Sequence, residues 1–181
     1  MGSRGGVVVV IGATGNQGGS VVRAVVLSGF SVRAPHSPSN GSESPNPPGS
    51  DLGGDVTAGD LGDPDCVAGA LEGADAVFSV QNYWALGTDR ELSYARNILQ
   101  ASRRIGIRHL IYSSGLGVRP RSGLDVLESK FQAEQAPRAS GIPYTIVRPA
   151  LFMEDFLGAC LPLPRVIRRL ATRSPTTVSR L

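Results

Sequence analysis

The stretch "VVVVIGATGNQGGSVVRAVV", residues 7–26, joins an apolar run to a glycine-rich turn and then to a second apolar segment. Val7–Ile11 is apolar at every position, as strands of a parallel sheet are when both of their faces are buried. Three glycines follow at intervals of three, and the valines after them share one helical face until Ser28. The stretch therefore predicts a β-strand, a tight turn and an α-helix.

The glycine turn predicts an anion site at the start of that helix. The unpaired N–H groups of a first helical turn and the helix dipole both favour negative charge at this point. Gly12 permits the turn, Gly15 lets the backbone approach a pyrophosphate, and Gly18 lets the helix press on the strand. The spacing is G-x-x-G-x-x-G, and its place between a strand and a helix favours a dinucleotide. No Lys-Ser or Lys-Thr pair follows the glycines, which excludes a P-loop.

Strand and helix patterns alternate along the rest of the chain. Further strands are predicted at residues 30–34, 55–58, 76–80, 109–112 and 144–147, and further helices at 67–71, 92–105 and 128–139. Strict alternation requires crossover connections between parallel strands. The sequence therefore predicts an α/β fold with a doubly wound parallel sheet.

Composition limits the compartment and the partners. Of the 181 residues, 41% are hydrophobic and 18% are charged. No apolar run approaches the ~20 residues of a membrane span, and Val7–Ile11 is too short for the apolar core of a secretory signal. The two cysteines have no metal-binding or disulfide-framework spacing. We therefore expect no membrane association and no metal, and a cytoplasmic location, with the nucleus as a second compartment.

The net charge of +3 arises from the C-terminal segment. After Asp155 the chain has five arginines and no acid, and without these five it has 13 basic and 15 acidic residues. A short cationic tail is usually solvated, so nucleic acid is not an expected partner. We predict one domain over residues 1–160, with a disordered Pro-, Gly- and Ser-rich loop near 36–54. Residues 161–181 are predicted to be a basic, disordered tail.

The end of the second predicted strand bears on the choice of nucleotide. An Asp or Glu at this point would hold the ribose diol of NAD, and the chain has "RAPHSPS" instead. A carboxylate would repel the 2′-phosphate of NADP, so the absence of an acid favours NADP(H) over NAD(H). Arg33 is a candidate cation for that phosphate and equally a candidate structural arginine. His36 and Ser37 are candidate phosphate donors or ordinary surface residues.

Six segments in order carry a family resemblance: "GATGNQGGSVV", "GDLGDPDCVAGALEGADAVFSV", "NYW", "ARNILQASRRIGIRHLIYSSG", "ESKFQAEQ" and "GIPYTIVRPALFMEDF". Over residues 6–158 the chain resembles the NmrA-like family, atypical members of the short-chain dehydrogenase/reductase superfamily. The resemblance implies a Rossmann fold that binds NAD(P)(H) at the carboxyl ends of its strands. Family members continue into a C-terminal region that closes over the nicotinamide. That substrate region is largely absent here, so we expect a chain truncated at its C-terminus.

The resemblance also implies roles for particular residues. Those that would cradle the pyrophosphate are Gly12, Thr14, Gly15, Asn16, Gln17 and Gly18. Asp60 and Leu61 would lie by the adenine, and Asn82 and Tyr83 by the nicotinamide ribose. Lys130 matches the lysine that the family places near the nicotinamide. It is the only lysine in a chain with 17 arginines, which favours a specific role because a flexible ammonium can bond ribose hydroxyls.

One departure from the superfamily bears on catalysis. Its usual motif is Tyr-x-x-x-Lys, in which the tyrosine protonates the substrate oxygen. Val126 stands four residues before Lys130 and can neither donate nor accept a proton. Tyr112 lies in a predicted strand, where core packing is its expected role. Lys130 and Ser113 therefore remain as catalytic candidates. Ser113 or its neighbour Ser114 could orient a substrate carbonyl, although serine after a strand is commonly structural.

The glycine turn, the resemblance to the NmrA-like family and the missing tyrosine together predict an NAD(P)(H)-binding redox sensor or regulator. Such a protein does not perform the usual dehydrogenase chemistry and signals to a protein partner. The alternative is an NAD(P)H-dependent oxidoreductase that acts on a quinone-like acceptor. An electron-poor ring accepts hydride readily, so Lys130 or Ser113 would suffice there. A third hypothesis is an inactive, truncated relative.

Overall fold

The computed structural model describes residues 5–36 and 55–153, which form six strands and four helices. The strands are β1 (Gly5–Ile11), β2 (Phe30–His36), β3 (Asp55–Ala58), β4 (Ala76–Ser79), β5 (His109–Ser113) and β6 (Tyr144–Val147). The helices are α1 (Asn16–Leu27), α2 (Pro64–Leu71), α3 (Tyr83–Ile105) and α4 (Asp125–Arg138). All six predicted strands are present. Beyond His36, the predicted loop near 36–54 lies outside the described residues, as does the predicted tail 161–181.

The strands form one sheet in the order β3-β2-β1-β4-β5-β6, and every neighbouring pair is parallel. Val9 in the centre of the sheet pairs with Arg33 of β2 on one side and Val77 of β4 on the other. This is the Rossmann order, so the predicted doubly wound α/β fold is confirmed. The strand order reverses between β1 and β4. In such sheets, ligands bind in the crevice beyond the carboxyl ends of the two strands at the reversal.

Alternate residues of β1 face two separate cores. Val9 and Ile11 pack with Val67 of α2 and Ile98 of α3 in one buried cluster. Val10 belongs to the other cluster, which also contains residues of α1, β2 and β4. Val9 and Val10 are both 0% exposed. Burial on both faces explains why β1 is apolar at every position rather than at alternate ones.

Helix α3 differs from the prediction in its start. It begins at Tyr83, not at residue 92, and the Asn82 side chain caps it by accepting from the Trp84 N–H at 3.1 Å. Gly87 interrupts the helix with non-helical backbone angles (φ 73°, ψ 172°), which Gly adopts without a Cβ clash. The prediction missed the first turns because this break shifts the helical period. The predicted end of α3 was right, since Gly106 ends the helix in the left-handed conformation.

The chain divides into two compact units, Met1–Arg148 and Pro149–Leu181. All ten elements belong to the first unit. Of the second unit, the structure describes only residues 149–153. None of the described helices is long and apolar enough to cross a membrane.

Candidate functional site

The glycine turn after β1 leaves the start of α1 open. Gly12 has φ +82°, and a Cβ added there would lie 2.5 Å from the Val80 carbonyl oxygen. The Gly15 N–H closes the turn by donating to the Gly12 carbonyl oxygen at 3.0 Å. Gly15 is the N-cap of α1, so no side chain caps the helix, and no acid occupies its first turn. Within the described part of the chain, the N–H groups of the first turn thus have no side-chain acceptor.

Gly18 and Gly15 differ in the space around them. A Cβ added at Gly18 would lie 2.5 Å from the Gly12 carbonyl carbon and 2.9 Å from the Ala13 Cα, which are both backbone atoms. A Cβ added at Gly15 would meet only the Gly12 carbonyl oxygen, at 3.5 Å. Gly18 is therefore required for the helix to contact the turn, whereas Gly15 leaves room above the helix end.

One hydrogen bond joins the end of β5 to the first turn of α1. The Ser113 hydroxyl donates to Gln17 Oε1 at 2.8 Å, although the residues are 96 positions apart. Ser113 is 1% exposed. Its proton is therefore committed to holding Gln17, while Thr14 is half-buried and Asn16 is exposed. This bond holds the Gln17 side chain to the strand end on the far side of β4.

A polar pair that the sequence analysis missed lies at the carboxyl end of β4. Gln81 is 5% exposed and donates from Nε2 to the Ser79 hydroxyl at 2.8 Å. Gln81 Oε1 is buried without a hydrogen-bond partner in the part of the chain that the structure describes. A buried acceptor of this kind is costly unless something donates to it. Two polar residues at the end of a buried strand, at the reversal point, were the signal that could have identified the pair.

The predicted adenine residues lie beside a cavity. Asp60 and Gly62 line a cavity of about 450 Å³, together with residues of the first half of α3. Asp60 Oδ1 accepts from the Gly62 N–H at 2.8 Å. The Leu61 side chain packs against the core, and its carbonyl oxygen accepts from Asn97 Nδ2 at 2.8 Å. The structure therefore places Asp60, and not the side chain of Leu61, on the cavity.

The predicted nicotinamide-side residues begin α3. Asn82 uses its side chain as the helix cap described above. Tyr83 packs edge-on against Trp84, with ring centroids 5.5 Å apart and planes at 82°. Trp84 is 85% exposed. The "NYW" segment thus presents a cap and an exposed indole at the carboxyl edge of the sheet.

Arg33 points away from this edge. Its guanidinium donates to the carbonyl oxygens of Ala70 at 2.9 Å and Glu72 at 2.7 Å. These carbonyls are at the end of α2, just before β4 begins, so they lie at the amino edge of the sheet. The geometry favours the structural alternative for Arg33. For His36 and Ser37, the other candidates near the 2′-phosphate, no side chain is described.

Lys130 has a buried partner that the sequence analysis missed. Its Nζ lies 2.7 Å from Glu91 Oε1, and the two side chains are 12% and 0% exposed. The other oxygen of Glu91 accepts from the Ser129 hydroxyl. The Lys130 Cδ passes 3.7 Å from where a Cβ at Gly115 would lie, just after β5. Glu91 was missed because it follows the Gly87 break, where the helical pattern could not be read.

Tyr112 does not replace the missing acid. It is 3% exposed, and its hydroxyl has no hydrogen-bond partner among residues 5–36 and 55–153. Burial, and then the negative charges of Glu91 and Glu134, raise the pKa of Tyr112 far above its ordinary value. The phenol therefore keeps its proton, as the predicted core role requires. Val126, which stands at the position of the usual tyrosine, is half-buried in α4.

The sequence matches the model of one protein family over most of its length. The model of the NmrA-like family matches residues 5–174. The chain belongs to the NmrA-like family. An NmrA-like family domain-containing oxidoreductase, FrzB of Cladobotryum sp., is 32% identical over 168 residues, covering 84% of this chain and 48% of FrzB. The resemblance stated from the sequence motifs is thereby confirmed.

Two further relatives extend the comparison. An NAD(P)H azoreductase from Xenophilus azovorans is 28% identical over 150 residues, covering 83% of this chain and 50% of the azoreductase. The crystal structure of a mutant NmrA superposes with a TM-score of 0.67 and 26% identity, covering 81% of this chain and 45% of that one. The chain spans about half the length of the curated relatives it matches.

Proposed function

We propose that this NmrA-like chain binds NAD(P)(H) at the carboxyl edge of its sheet. The observation that carries the proposal is the open start of α1, capped only by Gly15 and located where the strand order reverses. The amide hydrogens and the dipole of a helix start favour a dianionic diphosphate there. The name of the relative from Xenophilus azovorans, an NAD(P)H azoreductase, supports a nicotinamide nucleotide. Residues 1–160 are proposed to be the binding domain.

The residues present fit this cofactor. The backbone amides of Asn16, Gln17 and Gly18 would hold the diphosphate, since their donors are free of side-chain caps. Gln81 Oε1 is a buried acceptor without a partner in the described chain, and it would take a donor from the bound nucleotide. Lys130 would bond the ribose hydroxyls at the nicotinamide end. When bound, the nicotinamide supplies a hydride or accepts one.

We further propose NADP(H) rather than NAD(H). The support is that "RAPHSPS", at the end of the second strand, contains no acid. A carboxylate there would repel the 2′-phosphate. Arg33 contributes little to this proposal, because its guanidinium is bonded at the opposite edge. A side-by-side titration with NADPH and NADH is the direct measurement, and we expect the lower Kd for NADPH.

A redox sensor or regulator without the usual dehydrogenase chemistry fits the side chains best. Val126 replaces the acid, the Tyr112 phenol is buried and protonated, and the Ser113 proton is bonded to Gln17. Reduction of an ordinary ketone needs a proton donor at the substrate oxygen. The second candidate function is transfer of hydride to an electron-poor acceptor such as a quinone or an azo compound. The names of the relatives favour it.

Substitution of Gly15 separates nucleotide binding from folding. Gly15→Leu is expected to fold, since the glycine has φ −85° and open space beyond its Cα. The isobutyl group would then occupy the space above the helix start. In the wild type, NADPH at 100 times its Kd should add about 2.7 kcal/mol of stability and raise Tm by about 5–10 °C. Gly15→Leu should lose this shift, and the smaller Gly15→Ala should keep part of it. An unchanged shift in Gly15→Leu would place the diphosphate elsewhere.

Turnover separates the two candidate functions. The chain mixed with NADPH and a panel of quinones and azo compounds is expected to show no loss of absorbance at 340 nm above background, because Val126 stands where the usual tyrosine acid would be. Gly15→Leu serves as the blank. Steady oxidation of NADPH that the blank lacks would establish the oxidoreductase instead. If NADPH neither raises Tm nor is oxidised, the third hypothesis, an inactive relative, remains.

A further inference from the structure

We infer that Glu91 is the positioning residue for Lys130 in the dinucleotide site. The inference rests on the proposed nucleotide binding and adds a residue that no sequence motif marks. In this arrangement Glu91 holds the ammonium in one place while leaving two of its N–H donors for a ligand. Its removal should therefore weaken nucleotide binding through Lys130 alone.

The burial of the pair is the first argument. A carboxylate with 0% exposure is tolerated only when its oxygens are bonded, and both oxygens of Glu91 are, to Lys130 Nζ and to the Ser129 hydroxyl. The Ser129 bond orients the carboxylate from α4, through the residue just before Lys130. The position of the acceptor for Lys130 is thus determined by two helices rather than by one flexible side chain.

The donor count is the second argument. An ammonium has three N–H donors and no acceptor. Lys130 uses one on Glu91 at 2.7 Å and makes no other hydrogen bond to the described residues. Its side chain is 12% exposed, and its stem runs past Gly115 after β5. The two remaining donors are therefore available at the carboxyl edge, in the number that a ribose diol can accept.

The flexibility of lysine is the third argument. A free lysine side chain loses rotamer entropy when it is held in place, and lysine is among the residues that lose most. Glu91 makes that loss part of folding, so binding a ligand no longer incurs it. An arginine here would fill the same space with a planar fork, which suits a carboxylate and leaves poorer geometry for hydroxyls. This explains why the only lysine of the chain faces the only carboxylate that α3 buries within its described side chains.

The first test uses the chemistry of a single lysine and needs no nucleotide. An amine-acylating reagent modifies Lys130 and the N-terminus, and peptide mass mapping separates the two. Glu91→Gln should increase the acylation rate of Lys130 at least fivefold at pH 8, because the amine is released from its partner. Glu91→Asp, which keeps the charge and shortens the reach by one methylene, should also increase the rate. The matched control is Glu134→Gln, an equally buried glutamate that does not contact Lys130.

The second test is a double-mutant cycle on the Kd of NADPH, measured by calorimetry. We expect Glu91→Gln and Lys130→Met each to weaken binding five- to twentyfold, and the double variant to be no weaker than Lys130→Met. The control Glu134→Gln should bind within twofold of wild type. If Glu91 had only a structural role, Glu91→Gln would lower Tm equally in the wild type and in Lys130→Met. Its effect on the Kd would then not depend on whether Lys130 is present.

The outcomes distinguish this inference from the proposed function. Equal acylation rates in wild type and both Glu91 variants would overturn the inference, whatever the nucleotide does. If the wild type binds NADPH and Glu91→Gln binds it with the same Kd, the inference is also overturned. A lower Kd in Glu91→Gln would overturn it too, because Glu91 would then compete with the nucleotide for Lys130. Faster acylation of the variants with no NADPH binding by the wild type would instead overturn the proposed function.

Discussion

Gly18→Ala is expected to abolish nucleotide binding and to destabilise the fold by about 2–3 kcal/mol. The added methyl would overlap the Gly12 carbonyl group and lie 2.9 Å from the Ala13 Cα. These are backbone atoms of the turn, so the clash cannot be relieved by a side-chain rotation. Helix α1 must move away from β1, and that movement displaces the amides that would hold the diphosphate.

Urea unfolding and NADPH titration measure the two effects of Gly18→Ala. Gly69→Ala is the matched control, because Gly69 lies within helix α2 and nothing is within 4 Å of a Cβ added there. That substitution should stabilise the protein by about 0.5–1 kcal/mol through helix propensity and should leave the Kd unchanged. If Gly18→Ala matches wild type in both measurements, the close contact between α1 and the turn has no importance for the site.

Glu134→Ala is expected to destabilise the protein by about 2–4 kcal/mol. This is less than the cost of breaking a fully buried ion pair, because the arginines are partly exposed. Glu134 is 0% exposed and accepts from Arg148 through Nε at 2.8 Å and Nη2 at 2.6 Å. Arg138 adds a third bond at 3.0 Å. Arg148 follows β6, so this carboxylate fastens α4 to the end of the edge strand. Truncation removes the acceptor of three charged bonds and leaves a cavity.

The same glutamate makes the stability of the fold depend on pH in the acidic range. Burial raises the pKa of Glu134, but the hydrogen bonds from Arg148 and Arg138 outweigh it and hold the pKa below its ordinary value. A carboxyl with a depressed folded-state pKa stabilises the fold above its unfolded pKa, and this stability disappears as the pH falls through the folded pKa. Unfolding free energy should therefore fall more steeply below pH ~4.5 in wild type than in Glu134→Gln.

Asp65→Asn is the control for the Glu134 experiments. Asp65 pairs with Arg104 at 3.4 Å, and both side chains are well exposed. Exposed ion pairs contribute about 0–1 kcal/mol, so this substitution should change stability by little. A loss in Asp65→Asn as large as that in Glu134→Ala would show that general charge balance, and not the buried cluster, determines the acid response.

Local patterns predicted most of the fold. Strands β3 and β6 have the predicted bounds, and the other strands differ by at most two residues at either end. Apolar runs, turn glycines and helical spacing are properties of neighbouring residues, so they can be read without tertiary information. The start of α3 could not be read in this way, because Gly87 breaks the helix and hides the continuity of the turns before it.

The candidate site was predictable where it depends on backbone and not where it depends on distant side chains. The turn at Gly12, Gly15 and Gly18 follows from local chemistry. Arg33 could not be placed, since its guanidinium bonds carbonyls nearly forty residues away, at the end of α2. Gln81 could not be recognised as buried, because the burial of a polar residue after a strand depends on its tertiary neighbours.

By itself, the sequence determined the order of strands and helices, the glycine turn that begins α1, the missing acid at Val126 and membership of the NmrA-like family. Only the tertiary structure decided that Lys130 faces Glu91, 39 positions earlier, and that Ser113 bonds Gln17, 96 positions earlier. The physical reason is that hydrophobic periodicity acts between neighbours. Pairing of buried polar groups depends on which elements the sheet order brings together.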